Sequence, residues 1–258
     1  QSDYLSTIER SAKSLLNIIN DILDFSKLEA GKLALEQIPF SLRDVINETM
    51  TLLAPSAYDK GLELSLRVDR PVPDLISGDP LRLQQILTNL VGNAIKFTER
   101  GNVDVNVTLE KLLDNQQAQL RITIRDTGIG MSQQQQYQLF QPFNQGDSSI
   151  SRRYGGTGLG LVITQKLVQQ MGGSIEVNSN LEQGSEFAIT LNLHLAAQPQ
   201  EVCAQYRPLI GESILLIEPD LWARNACQAQ LQEWQMQVTA VGSLAEASNL
   251  GQLHFSTL

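Results

Sequence analysis

Two stretches between Val103 and Asp126 alternate apolar and polar residues, Val103–Leu109 and Leu120–Asp126, and the polar segment KLLDNQQAQ between them reads as a hairpin loop. Strands joined this way pair antiparallel, and a period of two gathers their apolar side chains on one face that another layer must cover. A second pair follows the same rule at 174–180 and 185–195, the latter aligning Phe187, Ile189, Leu191, Leu193 and Leu195. GLELSLRV is a further strand, alternating Leu62, Leu64, Leu66 and Val68.

Helices supply the cover. Residues 41–60 are amphipathic, with Ser41 as the N-cap. Asp79 and Pro80 form an N-cap with proline at the first helical position, opening a helix to about Phe97. Its Leu83, Ile86, Leu87, Leu90, Ala94 and Ile95 share the buried side. Ser132 and Gln135 make a capping box for a short helix, and a helix from Gly158 to Met171 stops at Gly172 and Gly173. This order of elements predicts an α+β fold with helices layered on one face of a mixed sheet.

The flanks have a different character. Leu5, Ile8, Ala12, Leu15, Ile19 and Ile22 form a heptad stripe, widened by Leu16, Leu23 and Phe25, with Gly31 as the stop. Such a helix is expected to pack in a bundle, with a second chain as the partner. After AAQPQEVCAQYRP, a linker by composition, SILLIEPD, a helix at 219–234 and MQVTAV read as the βαβ start of a parallel domain. The expected division is 1–35, 36–196, a linker at 197–211, and 212–258.

Charge narrows the functions. With 19 basic against 28 acidic residues, a net of −9, nucleic acid is not expected as a partner. Cys203 and Cys227 read as reduced thiols, and two histidines, His194 and His254, cannot build a His-rich metal cluster. No apolar run approaches the ~20 residues of a membrane helix, and no signal peptide opens the chain. The first residue is Gln1, and a fragment of a longer protein is expected.

Three groups of residues carry chemistry. Asn89, Asn93 and Lys96 lie on one narrow helix face opposite the apolar one, offering amide oxygens to Mg²⁺ and an ammonium to phosphate. Asp126 emerges at a strand end, where Gly128 and Gly130 permit a tight turn; its carboxylate can accept from an exocyclic amine. The run GGTGLG precedes a helix, so its backbone N–H groups and the helix N-terminus can face phosphate, with Arg152 and Arg153 just upstream. It is not a P-loop, because Leu161 and Val162 stand where Lys and Ser/Thr belong, nor a dinucleotide turn, because Leu161 takes the place of the third glycine. Each group alone has an ordinary explanation, a solvated helix face, an Asp-Gly turn or a flexible loop; their joint occurrence does not.

With NLVGNAIKF, DTGIG, LFQPF, GGTGLGL and GSEF in this order and spacing, residues 36–195 resemble the N, G1, F, G2 and G3 boxes of a sensor histidine kinase ATP-binding domain. SLLNIINDILDFSKLEAGKL resembles the second helix of the dimerization and phosphotransfer domain, and the overall wording is similar to hybrid sensor kinases of the GacS/BarA type of γ-proteobacteria. The resemblance implies a Bergerat-type α/β sandwich that binds ATP and Mg²⁺. It implies that Asn93 ligates Mg²⁺ with Asn89 beside the phosphates, that Lys96 and a lid arginine, Arg152 or Arg153, contact phosphate oxygens, and that Asp126 binds the adenine amine above Gly128 and Gly130. Residues 144–157 correspond to an ATP lid, expected to be mobile and anchored by Phe140 and Phe143; Gly156, Thr157, Gly158, Leu159 and Gly160 close over the triphosphate. It further implies a homodimer, or association with another sensor kinase, through residues 1–30; exchange with phosphotransfer and response regulator domains; and a cytoplasmic position in a bacterial inner-membrane protein.

Two departures matter. The H-E/D-x-R-T/N-P phosphoacceptor motif and its neighbouring acidic base are absent, and neither His194 nor His254 replaces the acceptor. The expectation is a kinase portion that cannot phosphorylate itself and acts on a histidine carried elsewhere. Glu218, Pro219 and Asp220 stand where a receiver has its acidic pair, so the last segment reads as a truncated, degenerate receiver. A hydrolase of the same superfamily is disfavoured, because Asn89 occupies the place of its water-activating glutamate. A non-catalytic interaction module, docking through the heptad helix, is the remaining alternative.

Overall fold

The computed structural model describes residues 22–113, 116–142, 158–196 and 211–248, with positions 12, 15–16 and 19–20 of the first helix. Leu5, Ile8, Phe143, Arg152, Arg153, Gly156, Thr157, Cys203 and His254 lie outside the described residues.

Helix α1, described over 22–29, closes at Gly31 (φ +62°), where Gly31 N–H bonds the Leu28 carbonyl and Lys32 N–H the Lys27 carbonyl. The central unit then runs β1 (Ile38–Ser41), α2 (Leu42–Tyr58), β2 (Glu63–Val68), β3 (Leu75–Gly78), α3 (Pro80–Phe97), β4 (Asn102–Leu113), β5 (Gln117–Asp126), α4 (Gln133–Gln138), α5 (Gly160–Gln170), β6 (Ser174–Asn180) and β7 (Gly184–Leu195). The strands order as β1-β3-β7-β5-β4-β2, with β6 pairing β7 as well. All pairings are antiparallel except β2–β4, which makes the sheet mixed.

Register explains the core. Val107 stands opposite Ile122, and Ile122 opposite Ile189, so the alternating residues of β4, β5 and β7 form one apolar layer. Leu42 and Ile46 of α2, Leu83, Ile86, Leu87 and Leu90 of α3, and Leu167 of α5 cover it, each at most 1% exposed. Each such side chain stabilises the fold by about 1.5–3 kcal/mol relative to exposure. The caps agree with those expected from the sequence: Ser41 accepts from Asp44 N–H, Asp79 from Arg82 N–H with Pro80 at the first position, and Ser132 and Gln135 close a capping box.

Three features depart from the sequence-based expectation. β1 and β3 are strands of four residues, too short to display a period. β4 and β5 extend into the expected loop, because the ladder resumes past a bulge at Leu109/Lys111 and continues to Leu113↔Gln117. The first helix is not wholly open: Leu28 is buried, Arg82 bonds Asp24 at 3.0 Å, and Lys166 pairs with Glu29. Leu15, Leu16, Ile19, Ile22 and Leu23 nevertheless remain 43–59% exposed.

From residue 211 on come β8 (Ser213–Ile217), α6 (Leu221–Glu233), β9 (Gln237–Val241) and α7 (Leu244–Ser248), with β8 and β9 parallel. Asp220 caps α6, accepting from Trp222 and Ala223 N–H at 2.8 Å, and Glu218 accepts from Asp220 N–H. Both acidic residues of this turn thus close local structure.

α6 packs on β2, which sets the Asp220 carboxyl beside that of Glu63, where a proton held on Glu63 can be shared with it. The bond to Asp220 first, then burial and the charges of Asp220, Asp104 and Glu218, push the Glu63 pKa up to about 7, while the same bond, with the Ala223 N–H, lowers Asp220. A raised carboxyl pKa contributes stability that is complete below the ordinary value of 4.5 and is lost as pH rises through about 7. Hydrogen exchange in β2 and α6, corrected for intrinsic rates, is therefore expected to accelerate between about pH 6 and pH 8. Glu63→Gln, which keeps a donor without titrating, should remove that change; an unaltered pH dependence in the variant contradicts the shared proton.

Candidate nucleotide site

α3 sets one wall. Leu83, Ile86, Leu87, Leu90, Val91, Ala94 and Ile95 are buried, and the 3.6-residue period leaves Asn89, Asn93 and Lys96 on the partly exposed side. Burial lowers the pKa of Lys96, whose ammonium lies 5.1 Å from the Phe97 ring centroid. The helix ends in a cap that has no local sequence signal: Lys60 Nζ donates to the carbonyls of Ile95 (2.7 Å), Lys96 (2.8 Å) and Thr98 (3.2 Å). One ammonium thus satisfies three carbonyls at the negative end of the helix.

The turn after β5 abuts that helix end. Ile129 N–H bonds the Phe97 carbonyl, and a Cβ on Gly128 would lie 2.5 Å from the same oxygen. Gly130 has φ +63°, and a Cβ there would meet the Asn180 carbonyl at 1.8 Å, so no other residue fits. Asp126 is 5% exposed. Its Oδ1 accepts from Gly128 N–H (2.8 Å) and from Ser185 N–H (3.2 Å), leaving Oδ2 for a ligand. Burial raises its pKa, and these two N–H bonds work against the rise. Ser185 lies within GSEF, a motif visible in the sequence, but its backbone contact depends on the pairing of distant strands.

The glycine loop meets the same helix. Gly158 has φ +70°, Leu159 is 1% exposed, and α5 begins at Gly160 without a side-chain cap. Its first N–H groups are therefore open to an anion. Leu159 anchors the loop in the core, so what it offers a ligand is backbone. A Cβ on Gly160 would stand 2.4 Å from Asn89 Oδ1, which shows how closely the loop end approaches the asparagine face. Asn89 Nδ2 donates to Thr164 Oγ1 at 2.8 Å, and Asn93 Nδ2 to Asn89 Oδ1 at 3.4 Å. Phe140 is half-buried just after α4, next to Leu139, which packs on the core.

The structure thus brings Asn89, Asn93, Lys96, Asp126, Gly128, Gly130, Gly158 and Gly160 to one end of the sheet. His194 is exposed and shares a 2.8 Å hydrogen bond with Gln117. Among the described residues no group of three His, Cys, Asp or Glu could hold a metal ion. A divalent cation here would draw on amide oxygens and on the phosphates of its ligand.

A carboxylate above a glycine turn, a face of amides and an uncapped helix behind a glycine loop define an ATPase of a recognisable class: residues 78–195 match the family described as histidine kinase-, DNA gyrase B-, and HSP90-like ATPase. Residues 1–31 match the His Kinase A (phospho-acceptor) domain. The chain thus carries the ATP-binding domain of this family and is similar over almost its whole length to the catalytic portion of hybrid sensor histidine kinases. It is 54% identical over 238 residues to the signal transduction histidine-protein kinase BarA of Shigella flexneri, covering 92% of this chain and 26% of that protein. It is 52% identical over 249 residues to the sensor histidine kinase GacS of Pseudomonas protegens, covering 96% and 27%. The chain therefore spans about a quarter of the length of these relatives. Full-length ShkA in complex with AMPPNP has the same fold, with a TM-score of 0.76 and 31% identity over 96% of this chain and 50% of that one. Histidine kinase AdeS of Acinetobacter baumannii shares the fold at 20% identity and a TM-score of 0.58, over 75% and 85% of the two chains.

Proposed function

We propose that this chain binds ATP with Mg²⁺ and transfers the γ-phosphoryl group to a histidine carried on another segment or polypeptide. The observation that carries this reading is the meeting of three elements at one end of the sheet: the asparagine face of α3, the Asp126 turn and the uncapped start of α5. Asp126 Oδ2 would accept the adenine amine. Asn93 would present an oxygen ligand to Mg²⁺ with Asn89 beside the phosphates, Lys96 would meet the phosphates, and the N–H groups at Gly160 and beyond would bind their oxygens. Bound there, Mg²⁺ would supply neutralisation of the phosphate charge, and the protein's part is positioning. In the transfer, the bond from the γ-phosphorus to its bridging oxygen breaks, an N–P bond forms on the imidazole, the imidazole proton leaves, and ADP departs.

Hydrolysis is the weaker reading. Asn89 stands where a water-activating carboxylate would have to be, and an amide cannot take a proton from water. The exposed stripe at Leu15, Leu16, Ile19, Ile22 and Leu23 supports association with a second kinase chain, and residues 211–248 support a receiver-derived module whose acidic turn serves as a helix cap. Exchange with phosphotransfer and response regulator domains follows from the same reading, as does a place on the cytoplasmic side of the membrane, where ATP is available. No described helix is long and apolar enough to cross a membrane.

Isothermal titration with a non-hydrolysable ATP analogue tests the site. Saturable binding strengthened by Mg²⁺ is expected, and Asn93→Ala should lose about tenfold or more of the strengthening, the cost of one ligand oxygen. No heat at millimolar nucleotide contradicts the reading; an unchanged Mg²⁺ effect in Asn93→Ala refutes the role of that residue.

A further inference from the structure

We infer that Thr164 is a positioning residue: it ends a one-way chain of amide hydrogen bonds through Asn89 that leaves the oxygen of Asn93 free for the metal. The inference rests on the nucleotide-site reading above and goes beyond it, because Thr164 touches no nucleotide group in that reading.

The chain runs in one direction. Asn93 Nδ2 donates to Asn89 Oδ1 (3.4 Å), and Asn89 Nδ2 donates to Thr164 Oγ1 (2.8 Å). A side-chain amide has a donor end and an acceptor end, and rotation by half a turn exchanges them. Whatever fixes one end fixes what the other presents. Asn89 directs its NH₂ group at the Thr164 hydroxyl, which leaves its Oδ1, beside the Gly160 backbone, to accept from Asn93. That oxygen in turn receives Asn93's NH₂ group, so the Asn93 oxygen is directed away from Asn89 and remains available to a cation. Hard divalent cations take oxygen ligands and are repelled by N–H donors, so the reversed orientation would present the wrong group.

The anchor is rigid. Thr164 is 1% exposed, in the second turn of α5, between Ile163 and the core residue Leu167. Gly160, one turn earlier on the same helix, approaches Asn89 so closely that a Cβ would lie 2.4 Å from its Oδ1. Asn89 is thereby gripped by α5 at two points, the Thr164 hydroxyl and the Gly160 backbone. The helix that begins where the glycine loop ends consequently also holds Asn89, and through it the orientation of the Asn93 amide on α3. A purely structural threonine in this place would be replaceable by valine, which has the same shape and lacks the hydroxyl.

The test compares Thr164→Val and Thr164→Ser with the unaltered chain by titration of AMPPNP with and without Mg²⁺. The measured quantity is the factor by which Mg²⁺ strengthens binding. Thr164→Val is expected to reduce that factor about tenfold, in the range found when outer partners of metal ligands are removed, and Thr164→Ser to restore it. A second readout needs no nucleotide: in the free protein, the Asn89 side-chain NH₂ resonances should lose their protection from solvent exchange in Thr164→Val and keep it in Thr164→Ser. Equal Mg²⁺ factors and equal amide protection in Thr164→Val and the unaltered chain overturn the inference while leaving the nucleotide site in place. Should the unaltered chain bind no nucleotide, the site reading falls and the amide protection still decides whether Thr164 holds Asn89. If Thr164→Val does not fold, Thr164→Ala takes its place, and protection retained there overturns the inference equally.

Discussion

Asp126→Asn is expected to weaken ATP binding by about 100-fold or more while leaving the melting temperature unchanged or raised. The two halves of this expectation have separate causes. Oδ1 of Asp126 serves the protein, accepting from Gly128 and Ser185 N–H, and an asparagine oxygen can keep both bonds. In the proposed reading Oδ2 serves the ligand, and asparagine would replace it with a donor that faces the donor amine of adenine. A site built to pair a polar group rejects a mismatched partner far more strongly than a hydrophobic one rejects a change in size. Burial of the carboxylate raises the pKa of Asp126, which means the charge is held at a cost that the amide does not bear. Asp126→Ala differs: it orphans both backbone N–H groups, at about 1–3 kcal/mol each, and should lose stability together with binding. Calorimetric titration and thermal melts separate the cases. Wild-type affinity in Asp126→Asn refutes the adenine role, and an equal loss of stability in both variants refutes the division of labour between the two oxygens.

Much of this arrangement is legible in the amino-acid order itself. The strands β4, β5 and β7 declare themselves because one of their faces is buried, which forces a period of two over many residues. α3 is legible from both ends, since Asp79 with Pro80 fixes its start and its apolar stripe fixes its orientation, and the same stripe places Asn89, Asn93 and Lys96 opposite the core. Gly130 is legible as a turn residue; that the Asn180 carbonyl leaves no room for any side chain there is not. What stays hidden is what depends on contacts between distant segments. β1 and β3 have four residues each and exist because the end of β7 offers β3 a ladder and β3 in turn offers one to β1. Lys60 reaches the end of α3 across 35 to 38 positions of sequence, and Thr164 reaches Asn89 across 75. A lysine after a helix and a threonine within one are ordinary residues, and neither carries a local signal of its partner. The lid arginines and Phe143 fall outside the described residues, and their part in the phosphate site stays a proposal.

In the proposed reading, the nucleotide site serves a histidine that this sequence does not contain in its usual motif. His194 is engaged with Gln117 at the far end of β7, and no base among the described residues is hydrogen-bonded to it. A chain of this kind should bind ATP and keep it: without an acceptor the γ-phosphorus has only water to react with, and no carboxylate on the α3 face activates that water. ATP labelled at the γ-phosphate decides the matter, supplied with and without a separate polypeptide carrying a phosphoacceptor helix from a histidine kinase of the same family. The expected result is no label on this chain alone and acid-labile label, stable to alkali, on the added helix, abolished by Asn93→Ala and by Asp126→Asn. Label on this chain alone, or ATP binding with no label on any acceptor supplied, would contradict the proposed transfer.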